Sequence, residues 1–326
     1  MPDLVVGARQ RTALPLGIHR YDSVTVKRGG VLSVAAWDGR EGGGALRLEV
    51  AGDIIVEEGG TIDVSGLGYR GGREEGDIMD GMSSQGEAAG GRGGQSTESN
   101  RGGGGGGICS SDYGSAGGGG GGYGRPGEQS EPNRHQNGNN PGGKGGHAHG
   151  SPDLAGGPSL GSGGGAGKSY NHPNGAPLQG GDGGGIVHLV ANRIVISQNS
   201  SLLADGADGT AGRVNYSSGG GGGSGGTIHL VADDVSIRGQ VSAVGGAGGA
   251  AGPDNNNNGI CSTGGRGGVG RIRIDVHALD DRGGQIEPRP HRQARPSPPE
   301  LVALRGAARR CAGAGGAART GVRAAP

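Results

Sequence analysis

The sequence predicts an all-β fold: a short, irregular parallel β-helix carrying long glycine-rich loops, with a β-sandwich as the alternative. Three observations predict it. The aliphatic residues are gathered into short Val- and Ile-rich runs bounded by Gly and Asn, which is how strands read. The runs recur in a fixed order of three, followed each time by a burst of glycine. The chain also has no phenylalanine and only one tryptophan (Trp37) and six tyrosines in 326 residues. Small β-branched residues suit stacked ladders, whereas a large globular core usually leans on aromatic side chains.

The repeat is clearest in "GGGIVHLVANRIVISQNSSLLADGADG", from Gly183, and "GGTIHLVADDVSIRGQVSAVGGAGG", from Gly225. An earlier phrase, "GGGALRLEVAGDIIVEEGGTIDVSGLG", starts at Gly42 and has the same order of parts. The first runs are Ala45–Val50, Ile186–Ala191 and Thr227–Ala232. The second are Asp53–Val56, Arg193–Ile196 and Asp234–Ile237, and the third are Thr61–Val64, Ser201–Ala204 and Gln240–Val244. A degenerate copy begins at "GGVGRIRIDV" and is cut short near Gly284. One copy cannot bury its own apolar face, so several must stack.

Residues 1–20 read as a weakly structured lead-in. The repeat domain spans 21–287, with a loop insertion at about 69–182. Residues 288–326, rich in Arg, Ala and Pro, read as a disordered tail. With 85 glycines, ordering is costly, since glycine loses the most backbone freedom on folding. Glycine keeps no strict third-position period, which excludes collagen. Its longer runs are expected either to be mobile or to pack side by side as extended polyglycine II segments, where no side chain blocks close approach.

The formal net charge is zero, with 30 basic and 30 acidic residues, so no global field draws nucleic acid or an anionic membrane. No apolar run reaches membrane-spanning length. The N-terminus lacks a charged start followed by an apolar stretch, so no signal peptide is visible.

Motifs that invite chemistry are weak. "SGGGAGKS", Ser162–Ser169, has Ser162 where a phosphate loop needs glycine, and no strand–loop–helix context. Asp182, Asp205 and Asp208 sit in fragments of a calcium-binding repeat but form no array, so a turn role is expected. His147 and His149, with His135 and His172 nearby, read as solvated loop histidines. His188 and His229 occupy equivalent strand positions and should point outward. "RGG" occurs at Arg70, Arg92, Arg101, Arg266 and Arg282, but scarce aromatics and neighbouring acids argue against RNA. Cys109 and Cys261 share the context "GICS". They are a candidate disulfide, which would close a loop of about 150 residues, or else two separate thiols in equivalent loops. Cys311 stands apart in the tail. No metal site, cofactor site or catalytic constellation is expected.

The phrases "GGGSGGTIHLVADDVSIRGQVSAVGGAGG", "GGTIDVSGLGYRGG" and "GGRGGVGRIRID" resemble large glycine-rich bacterial surface proteins, some labelled adventurous gliding motility or PE-PGRS-like. The resemblance covers about Ser23 to Asp275. It implies an exported or cell-surface structural protein, not an enzyme; the expected function is structural or adhesive, with glycans, extracellular matrix or other surface proteins as partners. The rival expectation is a carbohydrate-active β-helix enzyme, a lyase or hydrolase, using exposed acids such as Asp53, Asp233 and Asp234.

Overall fold

The computed structural model describes residues 1–73, 81–110, 114–133, 140–169, 178–213, 216–253 and 261–295. Residues 1–294 form one compact unit. The regular structure among the described residues is strand. The lead-in already holds β1 (Leu4–Val6) and β2 (Arg11–Leu14). Then come β3 (Ile18–Tyr21), β4 (Val24–Val26) and β5 (Val31–Val34), followed by β6 (Ala45–Val50), β7 (Asp53–Val56) and β8 (Thr61–Asp63). The insertion adds the short β9 (Gly81–Met82), β10 (Ile108–Ser110) and β11 (Gly114–Ser115), which pair antiparallel. The later copies give β12 (Ile186–Val190), β13 (Arg193–Ile196) and β14 (Ser201–Leu203), then β15 (Thr227–Ile237) and β16 (Gln240–Ser242). The chain continues through β17 (Arg271–Asp280), β18 (Gln285–Glu287) and β19 (His291–Ala294).

Equivalent runs pair in parallel and in register. Leu48, Leu189, Leu230 and Ile274 form one inward column, and Leu46, Val187, Ile228 and Ile272 another. Third runs stack likewise, with Ile62, Leu202, Val241 and Ile286 aligned. These columns belong to one hydrophobic core from Val6 to Val276. Each buried Val, Leu or Ile contributes about 1.5–3 kcal/mol.

The sheet order corrects the expected architecture. β15 and β17 run unbroken through the place where the sequence reads a turn between first and second runs. They join the two ladders into a single ten-stranded sheet, β1-β4-β7-β13-β15-β12-β6-β3, with β17 and β19 attached beyond β15. That sheet curls into a nearly closed, barrel-like surface rather than the separate faces of a clear β-helix. The physical reason is the short junction. Only Ala51–Gly52 and Ala191–Asn192 separate first and second runs in the earlier copies, so the backbone bends without leaving the sheet. A sandwich is also excluded, because the main sheets are parallel rather than antiparallel. The six third-run strands, in the order β18-β16-β14-β8-β5-β2, form the second sheet.

Two boundaries shift. Residues 1–20 carry β1, β2 and the start of β3, because Val6 and Leu14 fill the core beside Val26 and Val34. Ordered structure also continues past 287, since β19 pairs with β17. The rest of the expected tail, 296–326, lies outside the described residues, and Cys311 with it.

The turn between second and third runs repeats a backbone conformation. Gly29 (φ 71°), Gly59 (φ 73°) and Gly283 (φ 85°) occupy the left-handed region at one equivalent position, which Arg9 (φ 61°) and Asn199 (φ 57°) share. In two of these turns the residue after it must be small. A Cβ on Gly30 would sit 2.8 Å from the Gly7 carbonyl oxygen of the preceding turn, and one on Gly60 2.8 Å from that of Val26.

The long glycine runs are ordered too. Segments from widely separated parts of the chain lie side by side and exchange backbone hydrogen bonds. The Gly221 amide donates to Gly165 (2.9 Å), Gly165 to Gly119 (2.8 Å), Gly119 to Gly105 (2.8 Å) and Gly105 to Lys144 (2.8 Å). A second series runs from Gly268 to Gly121, Gly222 and Gly265. Most of these residues are buried. A Cβ on Gly165 would collide with the Gly105 carbonyl, and one on Gly119 with that of Lys144. Glycine is required here by proximity: buried backbone polar groups must be paired, and only bare backbones approach closely enough to pair on several sides.

Candidate functional surface

The outward residues of the first-run ladder form a polar strip. The parallel register aligns Ile18, Arg47, His188, His229, Arg273 and His291 in one row, polar beyond Ile18. The next outward row holds Arg20, Glu49, Val190, Val231, Asp275 and Gln293. The His188 and His229 rings stack, with centroids 4.8 Å apart and planes 11° from parallel. His229 Nε2 lies 3.0 Å from Asp275 Oδ2. Arg273 Nε donates to both Asp275 oxygens at 2.8 and 2.9 Å, and Arg20 pairs with Glu49 at 2.7 Å.

Burial pushes the His188 imidazole down to about 4, with help from neighbouring His229 and Arg47. Burial works against ionisation of Asp275 as well, but the hydrogen bonds from Arg273 and His229 prevail and hold its pKa below the ordinary value. The strip therefore combines ion pairs with an imidazole, His188, that is neutral at neutral pH. Ion pairs of the same kind tie the other ladder, Arg193 to Asp53 (2.5 Å) and Arg238 to Asp280 (2.5 Å).

A second polar feature follows the stacked turns. Gln198, Asn199, Ser200, Arg238, Gln240 and Gln285 line a groove of about 390 Å³. Amide and hydroxyl side chains on consecutive copies suit repeated hydrogen bonding to polar groups.

The remaining sequence candidates have structural partners. Ser162–Ser169 is a buried extended segment of the glycine bundle. Its amides donate to other carbonyls, Gly163 to Glu87 and Gly164 to Gly181 among them, so they are not turned toward a phosphate. Asp182 accepts from Gly71 N (2.7 Å), Asp205 from Ser242 Oγ (2.6 Å) and Val244 N (2.7 Å), and Asp208 from Ala247 N (2.7 Å). Burial raises the pKa of Asp182 and of Asp205, and these hydrogen bonds oppose it. Asp53 is bonded to Arg193, and Asp233 stands 4.0 Å from His277. Asp234 pairs in register with Arg193 and Ala278. Among the described residues, no group of three His, Cys, Asp or Glu side chains converges on a metal-sized site.

His149 packs against Tyr123, with centroids 4.9 Å apart, and burial lowers its pKa. His147 stays exposed. His135 and His172 lie outside the described residues. Arg70 and Arg92 line a cleft of about 230 Å³ with Arg73 and Glu87, and Arg70 stands 3.8 Å from Glu87. Arg101 holds a positive φ of 52° in a turn. The Arg266 carbonyl accepts from Glu128, and Arg282 pairs with Asp280 at 3.0 Å.

Cys109 is buried in β10 and Cys261 is half-buried. The two "GICS" phrases meet at a serine cluster. Ser115 is the cross-strand partner of Cys109, Ser115 Oγ lies 2.9 Å from Ser218 Oγ, and Ser218 Oγ accepts from the Ser262 amide at 2.8 Å.

Among the described residues, no helix is long and apolar enough to cross a membrane. No family model, curated protein or solved structure matches this chain.

Proposed function

We propose that this chain is a non-enzymatic structural or adhesive element of a cell surface or secreted matrix, meeting glycans, matrix or other surface proteins through its polar faces. One observation carries the reading: the glycine segments hydrogen-bond one another into a buried bundle with no space for side chains. Glycine here serves a fixed shape, as a scaffold requires. The outer strip and the turn groove repeat similar polar groups from copy to copy. Many weak contacts so arranged give avidity without one tight site. The likeness of its phrases to glycine-rich gliding-motility and PE-PGRS-like surface proteins supports the location.

The test is retention of protein-coated particles on a panel of glycans and matrix preparations, with monovalent protein as the comparison. The reading expects particles to be held where single molecules wash off, and Arg47→Ala with Gln240→Ala to weaken the hold. Release of sugar from any glycan of the panel, or no retention of particles, would contradict it.

A further inference from the structure

The degenerate fourth copy departs from the repeat at its first strand position. Ala45, Ile186 and Thr227 are aligned and buried there, and the fourth rung places Arg271 beside them. An arginine at a position that otherwise takes small or apolar residues adds nothing to the core, so its surroundings are informative.

Its guanidinium is held in place. It lies over the Tyr123 ring at 5.3 Å from the centroid. Nη2 donates to the His149 carbonyl (2.6 Å) and the Gly150 carbonyl (3.0 Å). Tyr123 is itself fixed by a 2.9 Å hydrogen bond to Thr227. Arg271 Nε is shielded from solvent and has no hydrogen-bond partner.

Beside it is a cleft of about 200 Å³ lined by Arg125, Arg271 and Arg289 together with His291, with no carboxylate among the lining residues. Arg125 and Arg289 have no ion pair or side-chain hydrogen bond among the described residues. Of the nearby carboxylates, Asp153 lies close enough to His291 to interact with it, and both Asp153 and Asp275 have partners outside the cleft. Asp153 accepts from Ser151 and Ala155, and Asp275 is gripped by Arg273 and His229.

We propose that this cleft binds an oxyanion, a carboxylate or sulfate group, carried on a small acid or on an acidic polysaccharide. Arginine offers planar, paired N–H donors that match such a group. Arg271 is already ordered, so little freedom is lost on its side. Arg125 and Arg289 close on the group from the exposed rim. A small-acid ligand would be independent of the surface role proposed above, whereas an acidic polysaccharide would be one of the glycans that role names.

The experiment titrates the full chain with sodium sulfate and with sodium malonate, followed by calorimetry against sodium chloride at equal ionic strength. Affinity electrophoresis through polygalacturonate, with dextran as the neutral control, forms the second arm. Saturable binding of sulfate or malonate with no retardation by polygalacturonate assigns the site to small acids. Retardation by polygalacturonate and not by dextran assigns it to a polymer. In either case Arg125→Ala with Arg289→Ala, both exposed and outside the core, weakens binding about tenfold or more. Arg271→Lys, which keeps the charge and removes the fork, also weakens it. Circular dichroism confirms that each variant folds. The proposal is overturned if neither anion saturates and neither polymer retards the protein, or if the double variant binds as tightly as the parent.

Discussion

Replacing Gly165 by alanine should damage this protein far more than a single methyl group suggests. The new Cβ would land on the Gly105 carbonyl, which is backbone and cannot rotate away. The Gly165 and Gly105 segments must then separate by more than 1 Å, roughly, to restore ordinary contact. Gly165 N bonds Gly119, and Gly119 N bonds Gly105, each at 2.8 Å, so both bonds are strained or lost in a buried setting. Leaving a buried donor or acceptor unsatisfied costs about 1–3 kcal/mol, and overpacking adds about 1–3 kcal/mol. A total of about 3–4 kcal/mol is expected. Gly94→Ala is the control, because nothing lies within 4 Å of its added Cβ. It should be neutral, or stabilising by about 0.4–1 kcal/mol through the unfolded chain. Urea unfolding followed by circular dichroism measures both. If Gly165→Ala costs less than about 1 kcal/mol, close packing does not explain the glycine content.

Three further outcomes follow from the same structure. The folded pKa of His188 is about 4, below its ordinary value, so the unfolded chain takes up the proton first. Stability should fall as pH drops from about 6.5 to about 4 and level off below, by about 1–2 kcal/mol after allowing for partial exposure. His188→Gln should remove that part of the slope, and identical pH profiles for parent and variant would refute it. Arg9→Gly should stabilise by about 0.5–1 kcal/mol in the same urea assay, since Arg9 holds a φ of 61° where three equivalent turns use glycine; a loss of stability would count against the shared turn. Asp205→Ala should cost about 2 kcal/mol, because its carboxylate receives Ser242 and Val244 from the next copy, and an unchanged unfolding midpoint would show the contact to be idle.

Much of the fold was legible because side-chain pattern reports it. The alternation of Leu46, Leu48 and Val50 against Arg47 and Glu49 gives strand, and its recurrence at Val187 and Ile228 gives the stacking partners. The pattern does not say whether a two-residue junction such as Ala51–Gly52 starts a new face or bends an old one, and there the expected β-helix failed. β1 and β2 were missed because Leu4–Val6 and Arg11–Leu14 are too short to show a period. The bundle was only half legible. Gly105, Gly119, Gly165 and Gly221 are chemically identical, so nothing in their order tells which segments adjoin. The arginine cleft did leave a signal, since Arg271 interrupts the column of Ala45, Ile186 and Thr227, but it becomes visible only once the copies are aligned.

Hydrogen exchange at individual glycine amides tests the central claim most directly. The amides of Gly105, Gly119, Gly165 and Gly221 bond carbonyls of other segments. They should exchange at least about a thousandfold more slowly than unstructured chain, in step with the core strands. Exchange of those four amides at free-chain rates, while Leu48 and Leu230 stay protected, would show the glycine runs to be loose tethers and would contradict the account.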